Sequence, residues 1–174
     1  MKTHVILVDT NDEEIGLMPK LEAHQRGALH RAFSIFIFNS NGELMMQKRA
    51  FEKYHSGGLW TNTCCSHPIT NEFIQKTANI RLMEEMGISC ELKNISKFIY
   101  KAELENGLTE YEYDYLFIGY SNNVASINIK EAIDWKWMKI EDIKKDLILN
   151  PELYTAWFKP AFEHVLKHLL ENII

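Results

Sequence analysis

Apolar residues return along this chain with two different periods, and the change from one to the other marks its elements. "HVILVD" (4–9), "AFSIFIF" (32–38) and "ELMMQKR" (43–49) are apolar or alternating runs of strand length. The last two flank "NSNG", where Asn41-Gly42 is a hairpin turn pair. "KFIYKAEL" (97–104) and "EYEYDYLFIGY" (110–120) form another strand pair joined at Glu105-Asn106-Gly107, and "IDWKWM" (133–138) is a further strand. A helical period takes over in "NEFIQKTANIRLMEEM", with Thr70 or Asn71 placed to cap it and Gly87 to stop it at Met86. "KIEDIKKDLI" is a short helix, and Asn150-Pro151-Glu152 reads as a cap with proline in the first turn, opening a C-terminal helical segment from about residue 150. There Phe162, Val165, Leu166, Leu169 and Leu170 make the apolar stripe. His164 and His168 are four apart but fall on the opposite side, so they are read as solvated rather than metal-binding. The sum is an α+β fold, a mixed sheet with several hairpins and one central helix, in a single domain spanning 1–174.

Composition adds bounds. With 174 residues, 46% of them hydrophobic, the chain can bury one sizeable core. It has no repeat, low-complexity segment or Pro/Gly-rich linker. A net charge of -5 argues against nonspecific binding to nucleic acid or an anionic membrane, yet permits a local basic pocket for a small anion. The first apolar run is only four residues long before charges return, too short for a signal peptide or anchor, and no other stretch approaches membrane-spanning length. No sizeable N-terminal extension suggests an organellar address. The cysteines are Cys64, Cys65 and Cys90, an odd count with a vicinal pair. That is a poor disulfide framework, and a reduced, cytoplasmic compartment is expected.

The candidate chemistry begins at "GLWTNTCCSHP" (58–68), which by itself admits a metal site, a redox pair, a catalytic nucleophile or a turn. On the central helix Arg81 and Glu85 lie one turn apart on the face of Ile74 and Ala78, which alone reads as a surface ion pair. In "EYEYDY" strand alternation projects Glu110 and Glu112 together, with Asp114 further along. A polar outer face would suffice, but the opposite face of Tyr111, Tyr113, Tyr115 and Phe117 is apolar enough to be the core side. Adjacent carboxylates repel unless water, protons or a cation compensates. His24 and His30 flank a glycine just before a strongly apolar strand. With His67 and the glutamate pair they make three nitrogens and two oxygens, a donor set suited to zinc, manganese or iron rather than calcium or a pure magnesium cage.

"MEEMGI" resembles the end of the Nudix box, a helix bearing paired glutamates that hold divalent metal on a diphosphate. Here Ile80-Arg81 stands where that box carries Arg-Glu, so an acidic ligand is replaced by a base and hydrolysis is disfavoured. "EAHQRGALHRAFSIFIF", "WTNTCCSHP", "MEEMGI", "EYEYDY" and "TAWFKP", in this order and spacing, resemble the type I isopentenyl-diphosphate isomerases over nearly the whole chain. The resemblance implies a Nudix-like mixed β-sheet/α sandwich that interconverts isopentenyl and dimethylallyl diphosphate. It implies a first metal site, manganese or zinc, at His24, His30, His67, Glu110 and Glu112, and magnesium held by Glu85 and the main-chain carbonyl of Cys65. It implies diphosphate-binding cations at Lys20, Arg49, Lys53 and Arg81. It implies an acid/base pair of Cys65 and Glu112, supported by Tyr100, with Trp157 facing a carbocation. Cys64 is assigned to packing, and Trp157 read alone would be a helix-anchoring core aromatic. The implied partner is a small-molecule diphosphate, with no nucleic acid or membrane, and the chain itself is expected to be a monomer or weak homodimer. The alternative is a Nudix pyrophosphohydrolase of a nucleoside diphosphate derivative.

Overall fold

Burial on both faces explains why the central strands read as continuous apolar runs. The computed structural model describes residues 4–68 and 73–172. Its element order is β1 (His4–Val8), β2 (Glu14–Pro19), α1 (Lys20–Arg26), β3 (His30–Phe38), β4 (Glu43–Arg49), β5 (Trp60–Thr61) and β6 (Cys64–Ser66). There follow α2 (Ile74–Met86), β7 (Leu92–Glu103), β8 (Thr109–Tyr120), β9 (Ala132–Lys139), α3 (Ile140–Leu149) and α4 (Phe158–Glu171). The nine described strands form one branched sheet.

Alternation along each strand sends neighbouring side chains into two separate cores. Phe33, Ile35 and Ile37 of β3, Met45 of β4 and Phe117 of β8 pack with Ala78, Leu82 and Met86 of α2. Phe36 and Phe38, Leu44 and Met46, and Leu116 and Ile118 pack instead against Ile143 of α3 and Phe158, Ala161, Phe162 and Val165 of α4. Each fully buried Phe, Leu or Met contributes about 1.5–3 kcal/mol of transfer free energy. The sheet is therefore a middle layer with α2 on one face and α3 and α4 on the other.

The turn at 39–42 is a hairpin, with Gly42 at φ 73° and its N–H bonded to the Asn39 carbonyl at 3.0 Å. Beyond Phe38↔Leu44 the two strands part, and β3 pairs in parallel with β8 from His30↔Glu112 to Phe38↔Tyr120. A parallel pair needs a long crossover, so this contact between residues some eighty positions apart has no local sequence signal. The strand pair 97–104/110–120 is present as β7 and β8, and β7 begins earlier, at Leu92. Gly87 ends α2 in the left-handed conformation at φ 65°. The candidate caps Thr70 and Asn71 lie outside the described residues. The C-terminal segment departs from a continuous helix: Pro151–Leu153 makes one 3-10 turn, Tyr154 bridges to Trp60, and α4 starts only at Phe158. Leu170 is 72% exposed and lies off the stripe, while Phe162, Val165, Leu166 and Leu169 pack toward the core.

Candidate active site

The face of the sheet toward α4 carries charge at one end. Alternation from Leu116 and Ile118 places Asp114, Glu112 and Glu110 on that same face, all buried. The carboxylates are thus the buried side of β8, and Tyr111, Tyr113 and Tyr115 are half-buried on the other. In the parallel register His30 stands opposite Glu112, and in β7 Tyr100 stands opposite it from the other side. The Tyr100 hydroxyl donates to Oε2 of Glu112, and Nε2 of His67 lies 3.0 Å from Oε1. His24 comes from α1, its Nδ1 2.7 Å from the Lys20 carbonyl, while Nδ1 of His30 lies 2.8 Å from the Ala28 carbonyl. Those carbonyl contacts fix Nδ1–H tautomers and aim both Nε2 atoms inward.

The ligand atoms of His24, His30, His67 and Glu112 all lie within 4.8 Å of one another. Nε2 of His30 is 3.2 Å from Nε2 of His67 and 3.6 Å from Oε1 of Glu112. Such separations are near the ~3 Å edge expected for neighbouring ligands each about 2.1 Å from one ion. Glu110 joins through Oε2, 3.1 Å from Nε2 of His24, and that oxygen is buried without a hydrogen-bond partner. Glu110 groups with His24 and His55 rather than with His30, His67 and Glu112. An orphaned carboxylate oxygen beside converging imidazole nitrogens fits a divalent cation with mixed nitrogen and oxygen donors.

Charge distribution follows from burial and from these contacts. Burial raises the Glu112 carboxyl, but the His30 and His67 rings outweigh it and hold the group well below the usual range. Burial and the neighbouring Glu112 push Glu110 up. Asp114 is raised further by burial and Glu112, with Oδ2 accepting from the Ser34 hydroxyl at 2.8 Å. Burial lifts the Cys65 thiol to about 12, so it is protonated at neutral pH. Burial also lowers Lys20 despite the pull of Glu110 and Glu112.

The cysteine doublet is divided by strand alternation. In the pairing of β6 with β3, Cys64 sits opposite Ile35 and Cys65 opposite Ser34. Cys64 is therefore fully buried in the α2-side core, as expected of a packing residue, and Cys65 opens on the carboxylate side. Cys65, His67, Glu110, Glu112, Trp157, Lys20 and Arg49 line one cleft with Phe33, His55 and Ser66. Trp157 is both anchored and cleft-lining: it is 3% exposed, its indole N–H has no partner, and the Arg49 guanidinium lies 5.1 Å above its ring.

Glu85, Arg81 and Lys53 form a second charged group. Glu85 is buried, not a surface partner, and accepts from Arg81 at 2.7 Å and from Gln47 at 3.0 Å. Arg81 also reaches Glu84 and Glu131, and Lys53 pairs with Glu131. Both Glu85 oxygens are engaged, though a carboxylate offers about four lone-pair sites and can still take a cation. Sequence reasoning passed over His55, whose Nε2 is 3.2 Å from Oε1 of Glu110. Its one local signal is "YHSGG", a histidine entering a glycine-rich turn between two strands.

A NUDIX domain model matches residues 28–158. The chain is 48% identical over 166 residues to isopentenyl-diphosphate Delta-isomerase 2 of Aromatoleum aromaticum, covering 95% of this chain and 88% of the relative. It is 50% identical over 155 residues to isopentenyl-diphosphate Delta-isomerase 2 of Photorhabdus laumondii, covering 89% and 88%. Among solved structures, a Deinococcus radiodurans protein aligns with a TM-score of 0.71 at 14% identity, covering 85% of this chain and 90% of the other. The MutT protein of Methanosarcina mazei aligns with a TM-score of 0.66 at 18% identity, covering 84% and 96%. Those two likenesses concern the fold alone.

Proposed function

The chain belongs to the NUDIX domain family and, within it, to the isopentenyl-diphosphate Delta-isomerases, and on that premise we propose that Cys65 and Glu112 are the acid/base pair that moves the double bond of isopentenyl diphosphate to give dimethylallyl diphosphate. The observation that carries this reading is one cleft lined by the Cys65 thiol, the Glu112 carboxylate and the buried Trp157 indole. Isomerisation requires a new C–H bond at the terminal alkene carbon, which leaves positive charge on the tertiary carbon. A C–H bond then breaks at the adjacent methylene, and its electron pair forms the new alkene. One group must donate and another accept, with no water present to trap the cation. Cys65 and Glu112 exchange roles when the reaction runs backwards, so the pair is assigned rather than the order. Tyr100 assists Glu112 by donating its hydroxyl to Oε2, which favours the carboxylate, the form able to take up a proton. Trp157 offers its π face to the cation, a contact worth about 2 kcal/mol when desolvated, more than tenfold in rate.

Lys20, Arg49, Lys53 and Arg81 hold the diphosphate, which supplies the remote binding energy that fixes a featureless five-carbon chain. His24, His30, His67, Glu110 and Glu112 would hold manganese or zinc, and Glu85 with the Cys65 carbonyl would hold magnesium. Bound there, such ions supply positive charge that tunes the carboxylate and neutralises the diphosphate. A pyrophosphohydrolase would need an acidic cluster to activate water, and Arg81 occupies that position among Glu84, Glu85 and Glu131. The substrate is thus a small diphosphate and the setting the cytoplasm; among the described residues no helix is long and apolar enough to cross a membrane. The test is turnover of isopentenyl diphosphate in heavy water. Deuterium should enter the product methyl group, and phosphate release without a dimethylallyl product would sink the reading.

A further inference from the structure

His55 takes no part in the scheme above, yet the loop that carries it is built around it. Arg49 donates from Nη2 to the His55 carbonyl at 3.3 Å and from Nε to the Ser56 carbonyl at 3.2 Å. The Ser56 N–H donates to the Glu105 carboxylate. Ser56 itself is left-handed at φ 52°, a conformation that residues with a side chain rarely adopt. Gly57 permits the turn, since a Cβ there would meet the Phe51 carbonyl at 2.6 Å. These restraints bring Nε2 of His55 to 3.2 Å from Oε1 of Glu110, with Nδ1 3.2 Å from the Ser56 hydroxyl. The imidazole also stands at right angles to Trp157, with ring centroids 5.8 Å apart.

We propose that His55 is a positioning residue: it holds Oε1 of Glu110 and so presents Oε2 to the His24 edge of the first metal site. A free carboxylate can rotate and offer either oxygen; one held by a buried donor offers only the other, and such outer contacts raise metal affinity. Oε2 is the oxygen left buried without a hydrogen-bond partner. With the Ser56 hydroxyl taken as donor to Nδ1, the ring proton is put on Nε2, 3.2 Å from Oε1 of Glu110. His55 groups with His24 and Glu110 but not with His30, His67 and Glu112, which places it outside the main ligand cluster.

This inference rests on the metal-binding reading of that cluster, so the experiment carries a control for it. Manganese and zinc affinities are measured on metal-stripped protein by competition with a chromophoric chelator, for H55F, H55Q and H67N. H55F should bind about 10- to 100-fold more weakly. H55Q, whose amide donates from a similar reach, should recover most of the loss, and the melting temperature of stripped H55Q should match the wild type. Unchanged affinity in H55F overturns the inference, and so does an equal loss in both variants, which would make His55 a direct ligand. Undiminished binding in H67N would instead overturn the site reading itself. A measurement on the wild-type protein does not depend on any variant folding. On zinc titration followed by imidazole nitrogen NMR, Nε2 of His55 should keep its proton signal while His24, His30 and His67 change. Loss of that signal overturns the proposal.

Discussion

His30 and Glu112 face each other across the parallel pairing of β3 with β8, with Nε2 and Oε1 3.6 Å apart. One carboxylate is thereby shared between an imidazole cluster on one side and the Tyr100 hydroxyl on the other. Glu112→Gln keeps the shape and removes the charge, so it should affect both roles together. Turnover should fall by about 10²–10⁴-fold, the usual contribution of a positioned acid or base, and bound metal, read by elemental analysis, should fall with it. Full metal occupancy in the inactive variant would confine Glu112 to proton transfer.

Cys65 should separate what Glu112 combines. Its side chain enters the cleft but is not among the grouped ligand atoms. Cys65→Ala should therefore abolish turnover and leave the metal content of the first site near that of the wild type. His67→Asn should do the reverse in order of cause: metal is lost first, and activity with it. Normal occupancy in His67→Asn would refute its assignment as a ligand.

Trp157 can be graded rather than only deleted. Phenylalanine keeps a flat ring and a weaker π face; alanine keeps neither. If the indole stabilises a cation by about 2 kcal/mol, Trp157→Ala should lower kcat roughly thirtyfold and Trp157→Phe by less. A change in KM alone would point to its stacking with Arg49, since the guanidinium lies above the same ring.

Local periodicity made much of this molecule legible. The turn at Asn41-Gly42, the stop at Gly87 and the alternation of Glu110 and Glu112 are each written within a few residues. The fate of the cysteine doublet also follows from alternation, once the register of Cys65 on Ser34 is known. What escaped is non-local or lacks a period. The pairing of β3 with β8 joins residues 30 and 112 with no turn to announce it, and β5 and β6 are two and three residues long. His55 lies in a loop whose bonds to Arg49 and Glu105 exist only in the folded chain. Its place beside Glu110 could not be read from spacing, whereas the resemblance could point to the candidate ligands because they sit in recognisable segments.

Glu131 offers a test in which stability and binding should move in opposite directions. Burial raises its carboxyl, but Lys53 and Arg81 outweigh that and hold it below the ordinary 4.5. A depressed carboxyl stabilises the fold fully above about pH 4.5, and that contribution is lost as pH falls through the depressed value. Glu131→Gln should therefore cost about 1–2 kcal/mol at neutral pH, a range set by charged hydrogen bonds and tempered by partial exposure. The gap from wild type in denaturant titrations should narrow on acidification below that point. The same substitution frees two cations that the diphosphate would otherwise have to win from a resident carboxylate. Inorganic pyrophosphate should accordingly bind the variant more tightly at neutral pH, measured by calorimetry. Weaker binding would mean that Glu131 holds Lys53 and Arg81 in place for the phosphate rather than competing with it.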